Sequence, residues 1–232
     1  MTLVAYVELF ADLACPFAYV AHARWRRLRD EYAGRLILAH RSLALEYVNR
    51  EPTPMKLVEM EVAVLAKHEP DLPYQPWSGP PSAWPVTMWP AFEAVKCAER
   101  QSLTLADDLA WEIRVALFAH SQCICMRHVL LDIAAGVPGI DRARFEADFD
   151  RGVAKHLVVE EARRGWDELH VPGSPTFVLP NGRQIAAPAL PELEIDQGTG
   201  LLLRVTLPPC AAPCLDDYRA FLEEACQVSA AP

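Results

Sequence analysis

Cys15 stands where an apolar stretch gives way to an amphipathic one, in the run Val7-Glu8-Leu9-Phe10-Ala11-Asp12-Leu13-Ala14-Cys15-Pro16-Phe17-Ala18-Tyr19. A thiol at a helix start meets the positive end of the helix dipole, which favours thiolate. An ordinary cysteine has a pKa of about 8.5; a helix start can lower it to about 7 or below. Two reactions suit such a sulfur. It can attack a disulfide, with an external thiol such as glutathione completing the exchange. It can also add to an electron-poor double bond; rotation and expulsion then return the other geometric isomer. A dithiol site would carry a second cysteine at position 18, and this chain has Ala18. The addition cycle needs one sulfur and so fits better.

Asp12, three residues before Cys15, would raise the thiol's pKa if it lay beside it. It could shuttle a proton to or from an adduct, or serve as a loop carboxylate for helix N-terminal amides. His22 shares a helix face with Cys15 but lies about 10 Å along the axis, too far for direct proton transfer. Trp77, Trp84, Met88 and Trp89 fall in or just after a proline-rich stretch. They either roof an apolar pocket near the sulfur or pin a long loop to the core. Phe17 could line the same pocket, whereas Tyr19 suits the core.

Two further groups of thiols invite a metal or redox reading. His120, Cys123, Cys125 and His128 lie within nine residues, but structural zinc pairs are usually spaced Cys-x2-4-Cys. Cys123 and Cys125, two apart, would diverge on a helix. Cys210 and Cys214 read as a loop pair, with a disulfide, a metal or a distant resolving role as alternatives. No metal site is expected.

The composition frames these residues. Apolar residues make up 52% and charged residues 23% of the 232, the profile of a soluble globular protein large enough for a full core. A net charge of −9 argues against nucleic acid as a partner. No apolar run approaches the roughly 20 residues of a membrane span. The first residues lack a basic region and read as a strand, so a cytoplasmic location is expected. Seven cysteines are then expected as free thiols and not as a disulfide framework.

The elements that must position the sulfur follow from local pattern. Residues 3–10 read as a strand, Pro16 opens a helix reaching Tyr32, and residues 36–45 form a second strand, giving a βαβ unit with parallel strands. From Glu51 to Leu169 the pattern is helical, with helices near 54–67, 90–100, 105–119, 126–135, 141–150 (capped by Asp141) and 153–169. Residues 176–180 and 183–186 flank Asn181-Gly182, a hairpin signal. Residues 201–207 are a further strand candidate, and 215–227 a closing helix.

This order, with Cys-Pro at the first helix start, resembles a thioredoxin fold interrupted by an all-helical insertion. The chain is similar to the DsbA-like family, in its FrnE-type branch bordering the 2-hydroxychromene-2-carboxylate isomerases and kappa-class glutathione transferases. Two motifs carry the resemblance: Asp12-Leu13-Ala14-Cys15-Pro16-Phe17-Ala18-Tyr19 and Val171-Pro172-Gly173-Ser174-Pro175-Thr176-Phe177-Val178. The resemblance implies an α/β thioredoxin domain in residues 1–50 and 170–232 and a helical insertion in 51–169. It also implies a cis Ser174–Pro175 bond opposite Cys15, with the Ser174 backbone binding substrate. Ala18 departs from the Cys-x-x-Cys of DsbA-type oxidases. Cys15 departs from the serine common in the glutathione-using relatives, whose Phe-Trp-Gly segment is also missing.

The expected protein is a single-cysteine thiol enzyme. Cys15 and Asp12 are its catalytic candidates, and Pro16, Phe17, Trp77, Trp84, Met88, Trp89, Ser174 and Pro175 its substrate contacts. The favoured reaction is cis–trans isomerisation of an apolar conjugated small molecule or carrier-protein-bound acyl chain, with no cofactor required. The alternatives are a monothiol oxidoreductase using glutathione and a non-catalytic binding module. No membrane partner is expected, and a homodimer is left open.

Overall fold

The computed structural model describes residues 4–69, 71–196 and 198–230. Strand β1 (Ala5–Ala11) leads into helix α1 (Pro16–Leu28), one further tight turn to Tyr32, and strand β2 (Leu36–Ser42). A short helix α2 (Leu45–Asn49) follows. The helical block is α3 (Met55–His68), α4 (Trp89–Glu99), α5 (Leu103–Phe118), α6 (Arg127–Gly136), α7 (Arg142–Asp150) and α8 (Lys155–Arg163). Strands β3 (Thr176–Val178), β4 (Gln184–Ala186), β5 (Glu192–Ile195) and β6 (Leu202–Thr206) precede the closing helix α9 (Leu215–Ala230). Ser102 and Asp141 cap α5 and α7 by accepting the amides of Leu105 and Arg144, as short polar caps do.

The main sheet runs β2-β1-β3-β4. β1 pairs parallel with β2 and antiparallel with β3, and β3 antiparallel with β4. This is an α/β thioredoxin sheet with the helical block inserted between β2 and β3. One face of α1 (Ala18, Ala21, Trp25, Leu28) packs with α9 and the sheet. Its other face (Tyr19, Val20, Ala23) joins the core of the helical block. The insertion therefore shares its core with the first segment, and α1 is wedged between the two. Among the described residues no helix is long and apolar enough to cross a membrane.

Several elements differ from expectation. The second strand ends at Ser42, because the Glu161 carboxylate takes the Ser42 amide and hydroxyl at 2.8 and 2.9 Å; the chain then turns into α2. The hairpin at Asn181-Gly182 closes around three residues, with the Leu179 amide donating to the Arg183 carbonyl. Residues 202–206 do form a strand, in a separate two-stranded sheet with β5. The pair Cys210 and Cys214, expected as free thiols, is a disulfide. A turn in which the Cys214 amide donates to the Ala211 carbonyl brings their Cα atoms to 5.4 Å.

The insertion rejoins the sheet at one crowded point. α8 continues into a wider helical turn at 164–168, where Gly165 faces Phe10 and Leu43. A Cβ at Gly165 would stand 2.6 Å from Leu43 Cδ1 and 2.9 Å from Phe10 Cδ1. Both neighbours are fully buried, so neither can swing away. Gly165→Ala should destabilise the fold by about 1–3 kcal/mol, the usual cost of overpacking, read as a lower denaturant midpoint. An unchanged midpoint would show that this contact gives way freely.

Candidate active site

Cys15 occupies the residue ahead of α1 with extended backbone angles, and Pro16 starts the helix where its missing amide hydrogen is not needed. The Cys15 carbonyl accepts the Tyr19 amide at 3.0 Å. The sulfur lies against the loop before β3, donating to the Ser174 carbonyl at 3.3 Å. The Ser174–Pro175 bond is cis. The two sequence motifs thus meet across 159 positions of chain.

The thiol is only 5% exposed. Burial pushes it up to about 12; a Ser174 side-chain contact and the Ala18 amide pull toward thiolate, while Glu61 and Asp12 add to the rise. Donation to the Ser174 carbonyl also keeps the proton on sulfur, since such a bond favours the neutral form. The thiolate expected from the helix start is therefore corrected. Desolvation outweighs the dipole, and the resting group is a neutral thiol.

Asp12 is fully buried, and its carboxylate is occupied. Oδ1 accepts the Ala14 amide and Oδ2 the Leu45 amide, each at 2.8 Å. Its own amide donates to Ser174 Oγ at 2.9 Å, and its carbonyl accepts from Arg114 at 3.3 Å. The arrangement matches the second of the two readings of Asp12, a loop carboxylate that serves backbone amides. Both oxygens serve backbone amides, one of them the first amide of α2, and hold the loop that presents the sulfur. Burial raises Asp12 to about 6, against the pull of those two amides.

Among the described residues, Glu61 on α3 lies in electrostatic reach of the sulfur with no hydrogen-bond or ion-pair partner, and burial raises it to about 7. Sequence reasoning missed it. The signal was there: Glu61 interrupts the stripe Val58, Val62, Leu65, all buried, where a carboxylate has no packing reason to be.

Of the aromatic candidates, Phe17 packs against both the insertion core and the cluster that contains Cys15. Pro16 and Pro175 are buried and Ser174 is half-buried. Met88 lies inside the insertion core, with Trp77, Trp84 and Trp89 packed on it. Trp77 and Trp84 meet edge to face at 5.0 Å, and Trp84 Nε1 donates to the Thr53 carbonyl. Those contacts pin the proline-rich loop. Trp89 lines a cavity with Cys125 and not with Cys15.

Beneath the sulfur lies a buried polar chain. Arg114 donates to the Asp12 carbonyl and contacts His22 Nδ1 at 3.3 Å; His22 Nε2 meets Asp107 Oδ1 at 3.0 Å, and His40 Nε2 meets the same oxygen at 2.7 Å. Two histidines and a carboxylate this close form a candidate metal set. The Trp25 indole also donates to Asp107 Oδ1, and Arg29 to its Oδ2. With Arg114 alongside, the cluster is a cation-ringed hydrogen-bond network, poorly suited to a metal ion. Burial lowers both histidines, so they sit neutral. Cys210, Cys214 and Asp217 also lie close together, with both sulfurs in the disulfide.

A family profile for the DSBA-like thioredoxin domain matches residues 6–194. The chain belongs to that family. Its fold is similar to the cytosolic disulfide reductase DsbM from Pseudomonas aeruginosa, at 20% identity, with 96% of this chain and 99% of that one covered and a TM-score of 0.66. The same reductase with GSH is matched at 18% identity, 96% and 99% coverage and a TM-score of 0.65. The fold is also similar to a 2-hydroxychromene-2-carboxylate isomerase, at 14% identity, 96% and 94% coverage and a TM-score of 0.57. A search of curated proteins finds no match.

The Asp12 clamp gives a prediction with a sign. Its acid is raised from 3.8 to about 6, so the folded state holds the proton more tightly than the unfolded chain. The charge cost is present above about pH 6 and is relieved as pH falls towards 4. Asp12→Ala leaves one buried and one part-buried amide without acceptors and should destabilise by about 2 kcal/mol. The loss should be larger near pH 4.5 than near pH 7.5 in denaturant unfolding. No loss at either pH, or a larger loss at the higher one, would contradict the clamp.

Proposed function

We propose that the chain is a single-cysteine thiol enzyme that isomerises an apolar, conjugated small molecule, free or tethered to a carrier protein, by reversible addition of Cys15. The observation that carries the reading is a lone sulfur, 5% exposed, held against the Ser174 carbonyl with alanine at position 18. Such enclosure disfavours attack on a folded protein's disulfide and supports a slender substrate. One sulfur also closes the addition cycle without a redox partner.

In the proposed cycle the Cys15 proton passes to Glu61 as the sulfur bonds to the β-carbon of the conjugated system. The electron pair moves to the substrate's electron-withdrawing end. The former double bond rotates, the C–S bond breaks, and Glu61 returns the proton. Glu61 suits this role because a base near neutrality can both accept and return a proton. Asp12 acts through position, holding Ser174 and the Cys15 loop. Phe17, Pro16 and Pro175 supply apolar contact. No cofactor enters this cycle.

Monothiol exchange with glutathione is the second reading. It is supported by the family and by the similar reductase whose structure carries GSH. Both readings place the protein in the cytoplasm and need neither nucleic acid nor membrane; either accommodates a homodimer.

The test is conversion of cis-cinnamaldehyde to its trans isomer, followed by absorbance with and without glutathione, alongside reduction of hydroxyethyl disulfide. Isomerisation should proceed without glutathione, fall to background in Cys15→Ser, and fall roughly 100-fold in Glu61→Gln. Disulfide reduction that requires glutathione, with no isomerisation, would replace the first reading by the second. Binding without turnover, unaffected by Cys15→Ser, would reduce the chain to a binding module.

A further inference from the structure

The dithiol that position 18 lacks is found elsewhere. Cys123 and Cys125 precede α6, in a segment that is not helical. Ile124 between them is fully buried in the insertion core. The turn brings the two flanking cysteines together, and their sulfurs approach to 3.2 Å. The divergence expected from helical geometry is thereby overturned. Both thiols are half-buried and so open to reaction.

Cys125 lines a cavity of about 600 Å³ with Trp89, Glu93, Phe149, Lys155 and Val158. Glu93 is 5% exposed, and its Oε1 has no partner among the described residues. A buried acceptor left unpaired at a cavity wall is a place for a donor brought by a ligand. Burial raises this carboxyl and Lys155 of the same cavity pulls it back towards its charged form, so an incoming ammonium group would share with Lys155 the role of counter-charge at the unpaired oxygen. Trp89, Phe149 and Val158 supply apolar walls for the rest of a small molecule.

We propose that Cys123 and Cys125 form a second thiol–disulfide centre, acting on small disulfides that carry an ammonium group and enter the cavity beside Glu93. Cys125, which faces the cavity, attacks one substrate sulfur as thiolate. The S–S bond breaks and the first substrate thiolate leaves and takes a proton. Cys123, which burial and the contact with Cys125 raise to about 11 in the reduced pair, then attacks the Cys125 sulfur, and its proton passes to the second substrate sulfur as that thiol is expelled. Two electrons pass from the dithiol to the substrate, leaving a Cys123–Cys125 disulfide and two free thiols. An external thiol such as glutathione, in two equivalents, restores the dithiol. The centre is independent of Cys15.

Both cysteines fall in one tryptic peptide, residues 115–127. The reduced full chain is treated with cystamine, a diammonium disulfide, then alkylated with iodoacetamide and digested. The peptide should lose two hydrogens and carry no alkyl group. Cys123→Ser should stop at a mixed disulfide on Cys125. Cys125→Ser should slow the reaction of Cys123 about ten-fold. Wild-type cysteines that remain alkylated, or that each carry a separate cysteamine group, would overturn the centre. Glu93→Gln should slow oxidation by cystamine about five-fold but leave hydroxyethyl disulfide unaffected. Equal slowing of both would overturn the substrate class.

Discussion

Four separate segments meet on Asp12. Its carboxylate binds the amide two residues ahead, in the turn that delivers Cys15, and the first amide of α2. Its own amide reaches the hydroxyl of Ser174 and its carbonyl is held by Arg114 of α5. A fully buried carboxylate is costly, and burial raises Asp12 to about 6 in spite of the two amides. What offsets the cost is that the end of β1, the start of α2, the cis-proline loop and the insertion all become fixed to one residue. The distance from Cys15 sulfur to Ser174 carbonyl depends on that junction.

The same enclosure sets the chemistry. A helix start favours thiolate, but the effect of the dipole on an exposed site is small, about 0.3–1 kcal/mol. Removing the sulfur from water acts in the opposite sense and wins, so the proton stays on Cys15. Reactivity then depends on a nearby base and not on a standing thiolate. Glu61, raised by the same burial, is matched to that need. The Arg114–His22–Asp107–His40 chain braces α5 under the site, and its neutral histidines keep further charge away from the sulfur.

The architecture was readable because each piece has a local signature. Pro16 after Cys15 marks a helix start, Asp141 caps its helix as expected, and the insertion's helices fall within a few residues of their apolar periodicity. The resemblance to the DsbA-like family rested on two such signatures, one at each end of the architecture, and the family profile over residues 6–194 bears it out. What local pattern could not carry was contact across long separations. The meeting of His22 and His40 on Asp107 joins residues 85 and 67 positions apart. The role of Asp12 depends on Leu45 and Ser174, which no spacing rule connects. Strand β5 is too short and too acidic to stand out before its partner β6 is known. Cys123 and Cys125 were misjudged because helical periodicity was extended across a turn. The Cys210–Cys214 bond stood only as an alternative in the sequence because cysteine count argues about compartments and not about a five-residue turn.

The most direct test is the pH dependence of Cys15 alkylation in the intact, reduced chain, read by mass on tryptic peptide 1–24. With the thiol held up to about 12 by burial, the logarithm of the rate should climb steadily with pH and show no plateau below about pH 10. A plateau at or near pH 7 would mean that the helix dipole prevails over desolvation and that Cys15 rests as a thiolate, which would contradict a sulfur whose proton is held by burial.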